Sequence, residues 1–233
     1  EADIIPGACE LLDFFVPAHH QNFRWSVYSC SGFSANVDQE EYGGMDPMWN
    51  DMLREHANNP FHVMIGGGDQ SAYRIYHEHN YHAVYNDKVA DIDIVKSNIR
   101  PKNMNSEEEE IVPPEIIAAI DRFLFANYLE CFNSPAMARA MARIPMVNML
   151  DDHDLVDGFG TYPDDLMMSG VFSMIGSRGY FFYLLFQQFM NDEVDGIINE
   201  NTKNPNPSEI KSLIIGGPGS YIPFPPHSIL IWL

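Results

Sequence analysis

Positive charge is scarce in this sequence: 13 Lys plus Arg stand against 33 Asp plus Glu in 233 residues, a net charge of −20. Nucleic-acid backbones are held by clustered Lys and Arg, so the charge argues against a primary role in binding them. Cysteine is scarce too. The three present, Cys9, Cys30 and Cys131, are odd in number and widely spaced, and they define no disulfide framework. That usage points to a reducing compartment. No apolar run approaches the ~18 residues of a membrane span. The longest candidate, residues 179–190 (GYFFYLLFQQFM), is too short and is broken by glutamine. No basic region followed by an apolar run marks a signal peptide, and no internal repeat is present. A cytoplasmic location follows, with residues 167–190 read as core or, in second place, as a membrane-peripheral face. The chain begins at Glu1 rather than Met and ends on the apolar run 228–233 (SILIWL), so both ends read as cut.

What is present is enough for a folded domain. Apolar residues make up 45% of the chain and aromatics 12%, which excludes an acidic disordered segment. Residues 23–28 (FRWSVY) alternate like a strand, and 46–56 (DPMWNDMLREH) read as a helix opened by Asp46 and Pro47. Residues 61–65 (FHVMI) form a buried strand entering Gly66-Gly67-Gly68-Asp69. Helical spacing covers 115–131, a second helix opens at Ser134-Pro135, and 144–150 (IPMVNML) read as another strand. Residues 71–83 are polar and histidine-rich without a period, 91–114 read as an acidic exposed loop, and 167–190 look helical and apolar.

Two of these strands run straight into acids, one at Asp69 and one at Asp151-Asp152-His153-Asp154. In α/β folds ligands gather at the carboxyl ends of strands, and acids there are costly unless a cation pairs with them. Two such strand ends side by side would make an acid-and-histidine site for two metals. Each element also has a plainer reading. A lone strand-end Asp often caps a turn, and one Asp of the four-residue cluster suffices for a helix cap. Gly66 to Gly68 lack both the Lys-Ser/Thr of a phosphate-binding loop and dinucleotide-type spacing. His77, His79 and His82 are spaced like zinc ligands but lack partners nearby. The run from Glu107 to Glu110 reads as a solvated loop, and Cys30 alone as buried ballast.

Taken together, residues 25–34 (WSVYSCSGFS), 60–70 (PFHVMIGGGDQ), Tyr85-Asn86-Asp87 and 144–162 (IPMVNMLDDHDLVDGFGTY) resemble the PhoD-like (alkaline phosphatase D) metallophosphoesterases, in particular a fungal-type group. The resemblance covers most of residues 20–190. It implies an α/β fold, the calcineurin-like α/β/β/α sandwich, and a metal-dependent phosphatase or phosphodiesterase acting on a phosphate ester through a two-metal-activated hydroxide. By it, Cys30 is a thiolate ligand to iron and Asp69 bridges two metals. Tyr85 is the phenolate ligand, with Tyr73 in reserve, and Asp152 is an acidic ligand. His153 is the catalytic histidine that stabilises charge or protonates the leaving oxygen. Thiolate and phenolate suit iron, and an oxygen-rich remainder suits Ca²⁺ or another hard divalent cation.

The sequence departs from the family pattern twice. Residues 71–83 separate the glycine-aspartate motif from Tyr85 and read as an insertion. The family's later Gly-Asp-x-His motif does not occur, so residues 1–233 read as a single partial domain, incomplete on the C-terminal side. The other class of function that the acids permit is a non-catalytic module that binds a cation or a protein partner on the same scaffold.

Overall fold

The computed structural model describes residues 12–31, 37–44, 46–69, 72–77, 80–106 and 110–188, with side chains left undescribed for Gln39, 72–77 and 80–87. In chain order its elements are β1 (Trp25–Tyr28), α1 (Pro47–Asn58), β2 (Val63–Gly66), β3 (Ala72–His77) and β4 (Asn80–Tyr85). They continue with α2 (Asp93–Lys96), α3 (Pro114–Phe132), α4 (Pro135–Arg143), β5 (Met146–Asn148), α5 (Asp164–Met167) and α6 (Gly170–Gln187). The architecture is mixed α/β. Strands β1, β2 and β5 form a parallel sheet in the order β1-β2-β5, and β3 and β4 pair as an antiparallel hairpin. The hairpin occupies most of the stretch in which no period was legible.

Register decides which sheet face is covered. Ser26 lies beside Met64 and Met64 beside Met146, while Tyr28, Gly66 and Asn148 share the next row. Strand side chains alternate between faces, so these rows share one face. Met64 there is fully buried in a cluster with Trp49, Phe61, Met137 and Ile144, against which Tyr28 and Met146 pack. Helices α1 and α4 therefore cover this side. The alternate rows, Trp25 with Val63 and Val27 with Ile65 and Val147, form the opposite face. Trp25, Val27 and Val147 on it are about half exposed, at 53, 59 and 47%. Among the described residues, no helix covers that apolar face.

Pro47 starts α1 as its sequence requires, because its missing N–H falls where a helix has no acceptor to offer. Asp46 does not cap that helix. Its carboxylate instead accepts from Ser134 Oγ and from the Ala136 amide at 2.9 Å, tying the start of α4 to the start of α1. A second, larger core holds α3 against α6, with Ile120, Leu124, Tyr128, Val171, Ile175 and Phe182 inside it. The Tyr128 and Phe186 rings stack at 4.9 Å, and Arg178 grips Asp121 between the helices. Glu110, from the acidic run expected to be wholly solvated, receives the Gly170 amide at 2.7 Å at the start of α6. Glu107 to Glu109 lie outside the described residues. No helix among the described residues is long and apolar enough to cross a membrane.

Helix α6 also reaches the sheet. Tyr183 Oη donates to the Asn148 carbonyl at 2.8 Å, and Gln187 Nε2 donates to Asp154 Oδ1 at 3.2 Å. The end of β5 is thus pinned from below by a buried helix.

Candidate metal centre

Three chain segments leave the carboxyl ends of β1, β2 and β5 and meet. The Cys30 amide donates to the Gly68 carbonyl at 3.1 Å, Ser31 N to the Asp69 carbonyl at 3.1 Å, and Met149 N to the Gly66 carbonyl at 3.0 Å. These bonds extend the pairing beyond the strands and force sharp turns. Cys30 and Asp69 both adopt left-handed backbone, at φ 57° and 58°, which is uncommon for residues with a Cβ. Such strain persists only where surrounding structure over-determines it, and it concentrates at functional sites. The glycines before Asp69 are sterically required. A Cβ on Gly66 would overlap Asn148 Oδ1, and one on Gly68, itself at φ +103°, would overlap Asp151 Cβ. The glycine run is therefore a spacer that lets Asp151 approach Asp69.

Asp154 holds the two acidic loops together. It is fully buried, and its Oδ2 accepts both the Asp69 amide at 3.0 Å and the Asp151 amide at 3.1 Å. Asp151 in turn accepts from the Asp152 amide at 2.9 Å, closing a reciprocal capping arrangement with Asp154 around a short 3₁₀ turn. Of the acids in the cluster, Asp154 is thus a structural acceptor. Asp152 Oδ2 accepts the Gly158 amide at 2.6 Å.

The remaining carboxylates converge. Oxygens of Asp69, Asp151 and Asp152 lie within 4.8 Å of one another, and a second group, Asp152, His153 and Asp157, meets the same limit. Asp152 belongs to both. His153 Nε2 lies 3.7 Å from Asp157 Oδ1. Burial pushes the Asp151 carboxyl above the usual carboxylate range, and the charges of Asp69 and Asp152 push it further. Asp69 Oδ1 is shielded from solvent and has no hydrogen-bond partner. A shielded carboxylate oxygen with nothing to accept, beside two further carboxylates, is what a cation would relieve. The residues present therefore fit a metal ion.

Cys30 sits at the edge of this group, its Sγ donating to Asp69 Oδ2 at 3.0 Å. Burial first, and then that bond, push the Cys30 thiol up from 9.0 to about 11. At pH 8 it should hold about a hundred-fold less thiolate than an ordinary thiol. We expect slow alkylation by iodoacetamide in the metal-free chain and faster alkylation in Asp69→Asn; equal rates at pH 8 would remove Asp69 from control of this thiol.

Of the residues singled out from the sequence, Cys30, Asp69 and Asp152 are brought together, and His153 borders them. Tyr85 closes β4, where it pairs with Ala72, and Tyr73 pairs with Val84; the side chains of both lie outside what is described. So do those of His77 and His82, and His79 lies wholly outside the described residues. Asp151 and Asp157 were not picked as individual site residues. The signals were present: Asp151 is the first acid after β5, and Asp157 stands four residues after His153. Asn148, whose Oδ1 accepts from Tyr28 Oη at 2.8 Å, gave no such signal, because only the fold brings it under Gly66.

Comparison with known proteins decides the family. The family model described as PhoD related phosphatase matches residues 6–204. The chain belongs to the PhoD-related phosphatase family. An uncharacterized protein of Saccharomyces cerevisiae is 29% identical to this PhoD-related chain over 238 residues, covering 94% of it. The match takes in 31% of the yeast protein, so the chain spans about a third of that relative's length. No solved structure matches this PhoD-related chain.

Proposed function

We propose that this chain carries part of a metal-dependent phosphoric ester hydrolase site, with Asp69, Asp151 and Asp152 as its carboxylate ligands. The observation that carries this reading is the buried, unpartnered Asp69 Oδ1 facing two further carboxylates in a PhoD-related family member. Cys30 is the thiolate donor beside Asp69, and with Tyr85 it makes the iron-type half of the ligand set; the oxygen-rich half suits Ca²⁺ or a similar ion. When bound, such ions supply Lewis-acid polarisation of a phosphoryl oxygen and an activated water.

The chain's own residues supply orientation and a proton. Asp154 fixes the Asp69 and Asp151 backbones, so their carboxylates need no reorganisation on binding substrate. His153, whose Nε2 lies 3.7 Å from Asp157 Oδ1, is in this reading the group that stabilises charge or protonates the leaving oxygen. For the fold we assign the calcineurin-like sandwich, and the open face at Trp25, Val27 and Val147 supports it, because a second layer would cover that face. The residues from 71 to 83 are an insertion in this scheme, and the domain is a partial one. Cys30 and Cys131 are free thiols, which supports a reducing, cytoplasmic setting.

Metal analysis combined with hydrolysis of a chromogenic phosphodiester tests the reading. The wild-type chain is expected to hold metal stoichiometrically and to turn over. Asp69→Asn should lose metal and activity together. His153→Ala should keep metal and lose about 10²–10³-fold in kcat. A folded wild-type chain with neither metal nor turnover would sink the proposal for this chain.

A further inference from the structure

The far end of the sheet carries a site of opposite charge. Helices α1 and α4 lie side by side with their starts tied together through Asp46, and both finish just before the amino ends of β2 and β5. Between their last turns is a cleft of about 550 Å³, within the range of small-molecule pockets. The strands separate it from Asp69 and Asp151 by roughly the 3.3 Å per residue of a parallel ladder, about 13 Å over a four-residue strand.

Its lining inverts the composition of the chain. Of the charged side chains that line it, Arg54, Arg139 and Arg143 are cations and only Asp13 is an acid. Acids outnumber Lys plus Arg by 33 to 13 in the sequence, so this grouping runs against the general trend. Phe15, Leu53 and Pro60 supply apolar wall. Arg143 sits 3.8 Å from Asp13, and Arg54 is occupied by Asp51 at 2.6 Å. Arg139 differs. Among the described residues it has no acidic partner, and its side chain is tethered to Asn50 Oδ1 at 3.3 Å. A guanidinium carries five donors, and this contact engages one of them.

His56 reports the local potential. It is buried, accepts the Phe61 amide on Nδ1 at 3.0 Å, and so carries its ring proton on Nε2. Burial, then the charges of Arg143 and Arg24, hold its pKa below the ordinary histidine range despite Asp13. A neutral donor ring, the Arg139 guanidinium and the loosely paired Arg143, with the Phe15 ring as an aromatic wall, suit an anion joined to a flat apolar body.

We propose that this cleft binds a phosphate monoester on a flat apolar body, at a site separate from the candidate metal centre. Asp13 is the internal carboxylate that the phosphate displaces from Arg143. The inference is independent of the hydrolase reading, since it uses none of the same side chains.

Titration calorimetry of the full chain with phenyl phosphate, inorganic phosphate and phenol tests it. Phenyl phosphate should bind more tightly than inorganic phosphate, and phenol should not bind. Arg139→Ala and Arg139→Glu, at an exposed helix position, should each weaken phenyl phosphate by about tenfold or more. Asp13→Asn should tighten it several-fold, and Asp69→Asn should leave it within about twofold. Absence of phenyl phosphate binding at millimolar concentration overturns the proposal. So does binding that survives both Arg139 variants but is lost in Asp69→Asn, because the ligand then sits at the carboxylates.

Discussion

Asp154→Ala will cost the chain about 3–5 kcal/mol of stability and loosen both acidic loops at once. The fully buried carboxylate receives the amides of Asp69 and Asp151 on one oxygen and Gln187 Nε2 on the other. Truncation leaves the part-buried amides of Asp69 and Asp151 without this acceptor and removes one of two partners of the buried Gln187 Nε2, which also donates to Tyr128 Oη at 3.0 Å; each lost bond carries a desolvation cost of about 1–3 kcal/mol. Asp154→Asn keeps the shape but turns donor hydrogens toward donors, so it should recover only part of the loss. Urea denaturation followed by circular dichroism measures both. A variant within about 1 kcal/mol of wild type would show that the donors find water or other partners, and that Asp154 is not the clasp.

Gly68→Ala is expected to cost about 3–4 kcal/mol and to weaken cation binding by at least about tenfold. Two effects combine. At φ +103° a Cβ is strained whatever the space, and here it would also overlap the Asp151 Cβ. Gly160→Ala separates the two, because its φ is +99° but nothing lies within 4 Å of the added atom. It should cost only about 1–2 kcal/mol and leave cation binding unchanged. Denaturant melts and calorimetric titration with Mn²⁺ compare the pair. Equal losses in both would mean that backbone strain alone matters and that Asp151 is free to move away.

These two residues also mark where sequence reading stops. Much was legible: α1 and α3 from apolar spacing, α4 from Ser134-Pro135 at its start, α6 from its apolar composition, β1 from alternation, and β2 and β5 from short apolar runs before glycine or acid. The β3–β4 hairpin was not. Its strands mix histidine, tyrosine and charge, and no Gly, Pro or Asn-Gly marks its turn, so neither alternation nor turn chemistry announced it. At the site, motif and position at a strand end pointed to Asp69 and Asp152. What could not be read was the division of labour among four neighbouring groups. Asp154 turns inward to bind amides while Asp151 turns toward Asp69, a difference set by tertiary contacts with α6 and the glycine run. Asp46 and Glu110 show the same limit, since each carboxylate serves a helix distant in sequence from itself.

The three strands beneath the carboxylates have an implication for the order of folding. β1 and β2 pair across a crossover of some 38 positions, and β2 and β5 across some 82, as Trp25 meets Val63 and Met64 meets Met146. Parallel pairing over such distances requires loop closure before any contact rewards it, which makes it slow. Cys30, Asp69 and Asp151 each follow a different one of those strands. None can meet the others until both pairings are complete. The proposed cation-binding group is therefore a late product of folding, with no precursor in either crossover alone. Added metal should slow unfolding and leave the initial rate of refolding untouched.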